Sequence, residues 1–210
     1  MPRRLSVTVE HFPLAQEFRI ARGAKTEAVV VTTQIGDEFG EGRGECVPYA
    51  RYGESIDSVR EQIEEVRAAI EAGASRERIG ELLPAGAARN AVDCALWDLE
   101  AKSNSRRAAS IICGSAPGPV ETAYTIGLGD ADSMGAAARV ANRSLLKVKV
   151  GTDNDIGRIR AVHAASRHSK LILDANEGWS ADNIREHMLA AAAANAVLVE
   201  QPLPAGDDAI

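Results

Sequence analysis

The second half of the chain repeats one pattern of apolar and polar positions. Short apolar runs end in polar residues at four places, marked by Thr125, Lys149, Asp174 and Glu200, with spacings of 24, 25 and 26 residues. The segments between them are rich in alanine and carry apolar residues at helical spacing. Short strands that alternate with helices are typical of parallel βα units. The pattern therefore predicts four parallel strands joined by helices.

The polar residues at these strand ends are expected to converge on one site. In a closed (β/α)8 barrel, the carboxyl ends of the strands all face the same mouth. Lys147 and Lys149 flank Val148, so both lysine side chains point to one face of their strand. Unpaired ammonium groups inside a barrel are costly, which favours a functional reason for the pair over a solvated turn. Asn176 also lies at such a strand end.

The first half of the chain has a different pattern. Two segments rich in valine and threonine predict strands, and the glycine-rich segment 36–45 predicts a hairpin, because it lacks the Gly-Lys-Ser/Thr ending of a phosphate loop. Apolar residues from Ile56 to Ile70, at spacings of three and four, predict a helix. The proline- and glycine-rich linker 116–119 marks a boundary. We expect an α+β domain over residues 1–117 and a second domain over residues 120–210.

Charge and cysteine usage narrow the choice of partner and compartment. The net charge of -6 argues against a nucleic acid or an anionic membrane as partner. The three cysteines form no C-x-x-C pair, so neither a disulfide framework nor a zinc site is indicated. No apolar run approaches the ~20 residues of a membrane span. We therefore expect a cytoplasmic protein that binds a small molecule.

The strand-end residues resemble those of a known family. Lys147-Val-Lys149, Asp174-Ala-Asn-Glu-Gly-Trp179 and Val199-Glu-Gln-Pro202 are similar to the second, third and fourth strand motifs of the enolase superfamily, muconate-lactonizing subgroup. The chain most resembles the dipeptide epimerases of that subgroup, which act on L-Ala-D/L-Glu. The resemblance covers essentially all 210 residues. It implies an α/β fold in which an N-terminal α+β capping domain precedes the first half of an enolase-type (β/α) barrel.

The resemblance also implies a role for each strand-end residue. Lys149 matches the catalytic base, and Lys147 matches the neighbour that orients it and lowers its pKa. Asp174 and Glu200 match two of the three carboxylate ligands of Mg2+, a hard cation that prefers oxygen ligands and stabilises the enediolate formed when an α-proton is removed. The implied activity is that of an isomerase.

Three further residues are candidates for substrate binding. Arg22 matches a family arginine that pairs with the side-chain carboxylate of the substrate's glutamate, a task that suits the planar fork of a guanidinium. Tyr52 lies in a loop that closes over the barrel mouth in the family, and Thr125 ends the first barrel strand. The implied partner is a dipeptide.

The chain departs from the family in its length. In the relatives, the third metal carboxylate and the opposing lysine come from later strands, whereas this chain stops after the fourth. We therefore expect a C-terminally truncated epimerase that binds Mg2+ weakly, is inactive by itself, and forms homo-oligomers through open strand edges. A muconate cycloisomerase or an o-succinylbenzoate synthase-like enzyme is an alternative, and so is a non-catalytic remnant.

Overall fold

The computed structural model describes residues 2–20, 23–114 and 116–208. The strands in these ranges are β1 (Arg4–Ile20), β2 (Gly23–Gly36), β3 (Glu41–Cys46), β4 (Tyr124–Ile126), β5 (Leu145–Lys149), β6 (Lys170–Asp174) and β7 (Ala196–Glu200). The helices are α1 (Ile56–Glu65), α2 (Arg67–Glu71), α3 (Arg76–Leu82), α4 (Ala87–Ser103), α5 (Ala108–Cys113), α6 (Ala131–Ala141), α7 (Asp155–Ala165) and α8 (Ile184–Ala193), with a 3-10 turn at Ala50–Tyr52. One sheet has the order β1-β2-β3 and the other the order β4-β5-β6-β7.

The chain divides into two compact units. The first contains Met1–Pro13 and Glu27–Gly118, and the second contains Leu14–Thr26 and Pro119–Ile210. The outer parts of β1 and β2 thus group with the second unit, although they fall inside the predicted domain 1–117. Strand β3 explains the difference, because it pairs only with residues 31–36 of β2 and leaves the outer parts without a third strand.

The glycine-rich segment of the first unit forms the predicted hairpin. Strands β2 and β3 are antiparallel, with Gly36 opposite Glu41. The carboxylate of Asp37 closes the turn by accepting hydrogen bonds from the backbone N–H groups of Phe39 (2.8 Å) and Gly40 (3.2 Å). This arrangement confirms a hairpin in place of a phosphate-binding loop.

The predicted helix over residues 56–70 is present but interrupted. Ser55 and Ser58 form a capping box that starts α1, and Val59 and Ile63 are fully buried. At Val66 the backbone leaves the helical region, with φ -98° and ψ 3°, and α2 continues beyond it. The apolar stripe nevertheless faces one core throughout, so the spacing predicted the buried face correctly and missed the break.

The second unit contains the four predicted parallel strands. Strands β4 to β7 pair in sequence order, and α6, α7 and α8 connect them. Apolar residues from strands and helices form one core, which includes Leu146, Val148, Ile159 and Leu173. The observed α/β fold combines a first unit of α+β type with a second unit of parallel βα repeats, as predicted. Within the described ranges, no helix has the length and apolar character needed to cross a membrane.

Candidate active site

The register of the parallel sheet brings the predicted strand-end residues to one edge of the sheet. Thr125 lies opposite Lys147, and Lys149 lies opposite Asp174. Asp174 in turn lies opposite Glu200. Because all four strands run in the same direction, these residues share the carboxyl edge of the sheet. The period of about 25 residues predicted that these residues would lie at one edge of the sheet, and the structure confirms it.

The lysines and carboxylates form a connected network of ion pairs. The ammonium Nζ of Lys149 lies 2.6 Å from Oδ2 of Asp174. The Nζ of Lys147 lies 3.0 Å from the same Oδ2 and 2.6 Å from Oε2 of Glu200. Asp174 thus receives two ammonium groups on one oxygen, and Lys147 joins the two carboxylates.

Burial and charge have opposite effects on the pKa values of groups in this network. Only 1% of Asp174 and 7% of Lys149 is exposed to solvent. Burial raises the pKa of Asp174, but hydrogen bonds from Lys149 and Lys147 outweigh it and hold that pKa below its ordinary value. Burial likewise lowers the pKa of Lys147, but the bonds to Glu200 and Asp174 outweigh it and raise that pKa. The network therefore favours the charged forms of Lys147 and Asp174.

Asn176 and Gln201 extend the network; Asn176 was predicted at a strand end without a specific role, and Gln201 was not singled out. The side-chain oxygen of Asn176 accepts a 3.2 Å hydrogen bond from Lys149, and its backbone N–H donates to Oδ1 of Asp174 at 3.0 Å. Its amide nitrogen donates to Oε1 of Gln201 at 3.3 Å. Asn176 lies in the left-handed region, at φ 48°, which asparagine tolerates better than most residues.

The backbone of the turns that follow β6 and β7 has positive φ values at residues other than glycine. Glu177 and Gln201 also have positive φ values, 67° and 45°. Such conformations are unfavourable for residues other than glycine and persist where the surroundings enforce them, as they often do at functional sites. The backbone N–H of Glu177 donates to the carbonyl of Gln201 at 2.8 Å, so the two strained turns support each other.

An aromatic ring that the sequence did not single out lies near Lys149. The ring centroid of Phe18, from the outer part of β1, is 5.9 Å from the Nζ of Lys149. Phe18 belongs to the same compact unit as β5. The ring presents an apolar and weakly cation-attracting surface to the ammonium group. No periodicity in the sequence could have identified this contact, because it joins residues from distant segments.

The three predicted substrate-binding residues belong to separate parts of the chain. Thr125 is exposed at the end of β4. Tyr52 lies in the 3-10 turn of the first unit, is 75% exposed, and has its ring centroid 5.7 Å from that of Tyr49. Arg22 lies outside the described residues. The substrate-binding roles of all three stay predictions.

Two carboxylates of the network could hold a hard cation. Oδ2 of Asp174 and Oε2 of Glu200 already converge on one positive group, the ammonium of Lys147. Among the residues that the structure describes, no group of three or more His, Cys, Asp or Glu side chains is placed to hold a metal ion. The residues therefore fit part of the oxygen shell of a divalent cation, and water or other ligands would have to complete it.

Family comparisons agree with this fold. The N-terminal domain of mandelate racemase / muconate lactonizing enzyme matches residues 3–112, and the enolase C-terminal domain-like family matches residues 132–210. The chain belongs to the mandelate racemase / muconate lactonizing enzyme family of the enolase superfamily. The predicted superfamily is thereby confirmed.

Individual relatives point to one branch of the superfamily. The chain is 43% identical to the L-Ala-D/L-Glu epimerase of Escherichia coli K12, over 99% of this chain and 65% of that protein. It is 29% identical to the aromatic dipeptide epimerase of Herpetosiphon aurantiacus, over 97% of this chain and 62% of the relative. The chain thus spans less than two thirds of the length of these relatives.

Solved structures of relatives superpose on nearly the whole chain. An enolase family member from Agrobacterium tumefaciens, described as homologous to dipeptide epimerases and holding sodium and L-Ala-L-Glu, gives a TM-score of 0.96 at 51% identity. The match covers 99% of this chain and 64% of that one. A dipeptide epimerase from Enterococcus faecalis V583, complexed with Mg and L-Leu-L-Tyr, gives 0.87 at 29% identity, with coverages of 97% and 62%.

Proposed function

We propose that this chain supplies the capping unit and the first four barrel strands of an isomerase that epimerises dipeptides of the L-Ala-D/L-Glu type. The observation that carries the proposal is the network of ion pairs that Lys147, Lys149, Asp174 and Glu200 form at one edge of the parallel sheet. The relatives support this choice of substrate, since one is an L-Ala-D/L-Glu epimerase and another structure holds L-Ala-L-Glu.

In this proposal, Lys149 removes the α-proton of the dipeptide's C-terminal residue. Its amine is held at a fixed place by Asp174 at 2.6 Å and by Asn176 at 3.2 Å. Lys149 must lose its own proton before it can accept one from the substrate. Lys147 orients the two carboxylates by binding both of them.

Asp174 and Glu200 are the proposed ligands of Mg2+. When bound, Mg2+ would neutralise the negative charge that develops on the substrate carboxylate as the α-proton leaves. The support from this chain is the convergence of two carboxylate oxygens on a single cationic group, together with the preference of Mg2+ for oxygen ligands. A dipeptide epimerase from Cytophaga hutchinsonii is complexed with Mg and D-Ala-L-Val, which agrees with this assignment.

Substrate selection is assigned to three residues. Arg22 would bind the side-chain carboxylate of the substrate through its two-pronged guanidinium, which would explain a preference for an acidic residue. Thr125, opposite Lys147 in the register, would contact the substrate from β4. Tyr52 would contribute an exposed aromatic surface.

The partner and the compartment follow from composition. The net charge of -6 supports a small-molecule partner over nucleic acid or an anionic membrane surface. Cys46, Cys94 and Cys113 are all free, which supports a reducing compartment such as the cytoplasm. Homo-oligomers are proposed on the basis of the open strand edges of the four-stranded sheet.

The test measures exchange of the substrate α-proton with solvent. The complete gene product is incubated with L-Ala-L-Glu and Mg2+ in D2O, and deuterium incorporation is followed by NMR. Lys149→Ala should lower the exchange rate by about 10²–10⁴-fold, the usual contribution of a general base. Lys170→Ala is the matched control, because Lys170 begins β6 with a 63% exposed side chain and should be dispensable. Removal of Mg2+ with EDTA should also abolish exchange.

A second arm tests the choice of substrate. Arg22→Ala should retain exchange on neutral dipeptides and lose the preference for an acidic C-terminal residue. A wild-type enzyme that ignores dipeptides and cyclises a muconate would contradict the epimerase assignment. This alternative is considered because the chain is also similar to the chloromuconate cycloisomerase of Pseudomonas sp. P51, at 26% identity over 91% of this chain and 56% of that protein.

A further inference from the structure

A second buried carboxylate lies beside the network and takes no part in it. Asp155 is the first residue of α7 and is only 1% exposed. Its Oδ2 accepts hydrogen bonds from the backbone N–H of Gly151 at 2.7 Å and from Nε1 of Trp179 at 2.8 Å. Its Oδ1 accepts from Nη1 of Arg158 at 3.0 Å, and the backbone N–H of Thr152 reaches both oxygens. A buried charge is costly unless hydrogen bonds satisfy it. Because donors surround both oxygens of Asp155, the residue is expected to have a specific role.

The donors of Asp155 come from the loops that follow the site-bearing strands. Gly151 and Thr152 follow β5, just after Lys149, and Trp179 follows β6, five residues after Asp174. These two loops touch backbone to backbone, since a Cβ on Gly178 would overlap the carbonyl oxygen of Gly151. One carboxylate therefore joins the loop after the strand of Lys149 to the loop after the strand of Asp174.

Arg158 and Trp179 extend these links to the outer two strands. The Nε of Arg158 donates to the carbonyl of Gly129, in the loop after β4, at 2.6 Å. The backbone N–H of Trp179 donates to the carbonyl of Pro202, after β7, at 3.0 Å. The indole ring of Trp179 is also fixed from one side by a stack on His187, with ring centroids 4.7 Å apart. Asp155, Arg158 and Trp179, here called the Asp155 clamp, thus connect the loops after all four strands.

We propose that Asp155 is a positioning residue, whose clamp holds the loops after β4 to β7 in the arrangement that brings Lys149, Asp174 and Asn176 together. Sheet register alone fixes only the backbone of these residues. The left-handed turn at Asn176 needs support from outside the sheet, and the loop packed against Asp155 contains that turn. The proposal rests on the proposed function only in taking Lys149 as the catalytic base.

The test replaces Asp155 by asparagine. Both carboxylate oxygens accept hydrogen bonds, so the amide NH2 of Asp155→Asn must face at least one donor that previously had an acceptor. The matched control is Asp130→Asn. Asp130 also lies at a helix start, in the preceding βα repeat of the same compact unit, and accepts a 2.9 Å hydrogen bond from the N–H of Ser133, but it is exposed and caps only α6.

The readouts are two NMR signals of the 210-residue chain labelled with 15N-lysine and 15N-tryptophan. The Trp179 indole N–H signal, assigned with Trp179→Phe, reports the clamp. The Lys149 ammonium signal, assigned with Lys149→Arg, reports the site through its hydrogen exchange with water. Asp155→Asn should shift the indole signal and speed Lys149 exchange by about tenfold or more, as expected when a hydrogen bond to a charged group is lost. Asp130→Asn should leave both signals as in the wild type.

The interpretation of these NMR signals does not require the protein to turn over a substrate. If the indole signal shifts in Asp155→Asn while Lys149 exchange is unchanged, Asp155 is a structural residue only and the proposal is overturned. If circular dichroism shows that Asp155→Asn does not fold, Trp179→Phe is used in its place. Trp179→Phe removes one hydrogen-bond donor to Asp155 and leaves the carboxylate bound to Gly151 and Arg158. A folded Trp179→Phe protein with faster Lys149 exchange supports the proposal, and wild-type exchange overturns it. Since neither signal requires catalysis, failure of the proposed epimerase activity would be recognised separately.

Discussion

At the scale of single residues, Asp174 is the centre of the site. Two ammonium groups share its Oδ2, and the residue is almost entirely buried. Lys149 is tolerated in its buried surroundings because this carboxylate and the Asn176 oxygen satisfy it. Asp174 is thus both a candidate metal ligand and the counter-charge that allows a lysine to occupy the interior.

Removing the charge of Asp174 should destabilise the fold. In buffer with EDTA, Asp174→Asn should lower the free energy of unfolding by about 3 kcal/mol, because it leaves the Lys149 ammonium buried beside a neutral amide. Urea denaturation followed by circular dichroism measures the change. The control is Lys149→Met/Asp174→Asn, which removes both buried charges and should recover at least half of the loss. A single variant as stable as the wild type would contradict this account of the pair.

The three cysteines should differ sharply in reactivity. Burial, the largest cause, raises the pKa of the Cys46 thiol to about 11. Partial burial also raises the pKa of Cys94, but Cys94, like Cys113, is exposed and can be reached by a reagent. Because the thiolate is the reactive form, Cys46 should be inert to a disulfide reagent at pH 8, and the other two should react. Mass spectrometry of labelled peptides identifies the sites. Cys94→Ser/Cys113→Ser should take up no label until it is unfolded, and rapid labelling of this variant in its native state would refute the prediction.

At the scale of elements, two glycines determine how closely strand β3 approaches helix α4. Gly42 and Gly44 have no side chain between them and the helix, and a Cβ on Gly44 would overlap the carbonyl of Ala91 and lie 2.6 Å from the N of Ala95. Both contacts are with backbone atoms, which cannot rotate away. The glycines that resemble a phosphate loop in sequence therefore serve close packing of a strand on a helix.

A methyl group at Gly44 should separate these two elements. Gly44→Ala should cost at least about 3 kcal/mol of stability, the upper part of the usual range for overpacking, because the obstructing atoms are backbone. Gly40→Ala in the same hairpin is the matched control, since its Cβ would meet only the Cβ of Lys102 at 4.0 Å. Thermal unfolding compares the two variants. Equal melting temperatures would show that α4 can move away at little cost.

At the scale of the whole molecule, the parallel sheet ends in exposed strands. Strand β7 pairs only with β6 in the described part of the chain, and its Val197 and Leu198 are 59% and 49% exposed. An apolar edge strand with unpaired backbone groups is a template for pairing with another chain, and closure of a barrel would remove it. Association of the 210-residue chain is the expected consequence.

A charge on the β7 edge should suppress this association. Leu198→Lys should shift the 210-residue chain towards monomer, since a lysine on an edge strand disfavours pairing. The measurement is size-exclusion chromatography with light scattering across a range of concentrations. Val140→Lys is the control, because Val140 is also exposed but lies on helix α6. A wild-type chain that stays monomeric, or an equal effect of both variants, would argue against the edge as the contact.

The local sequence determined the parts of this protein that depend on periodicity. The spacing of about 25 residues gave the four parallel strands, and the alternation around Val148 gave the shared face of Lys147 and Lys149. These predictions succeeded because strand alternation and βα length are properties of a continuous segment. The same period put Asp174 and Glu200 at the edge where the register places them, and the resemblance to the enolase superfamily added their predicted role as metal ligands.

Tertiary structure alone decided which distant groups meet. It placed Phe18 near Lys149, turned Asn176 towards the same ammonium, and packed Gly44 against α4. It also gathered donors from separate loops around Asp155. Each of these contacts depends on what lies across the fold, and no pattern within a short segment encodes that. The sequence therefore determined the strands and the residues they carry, whereas packing between segments determined the environment in which those residues act.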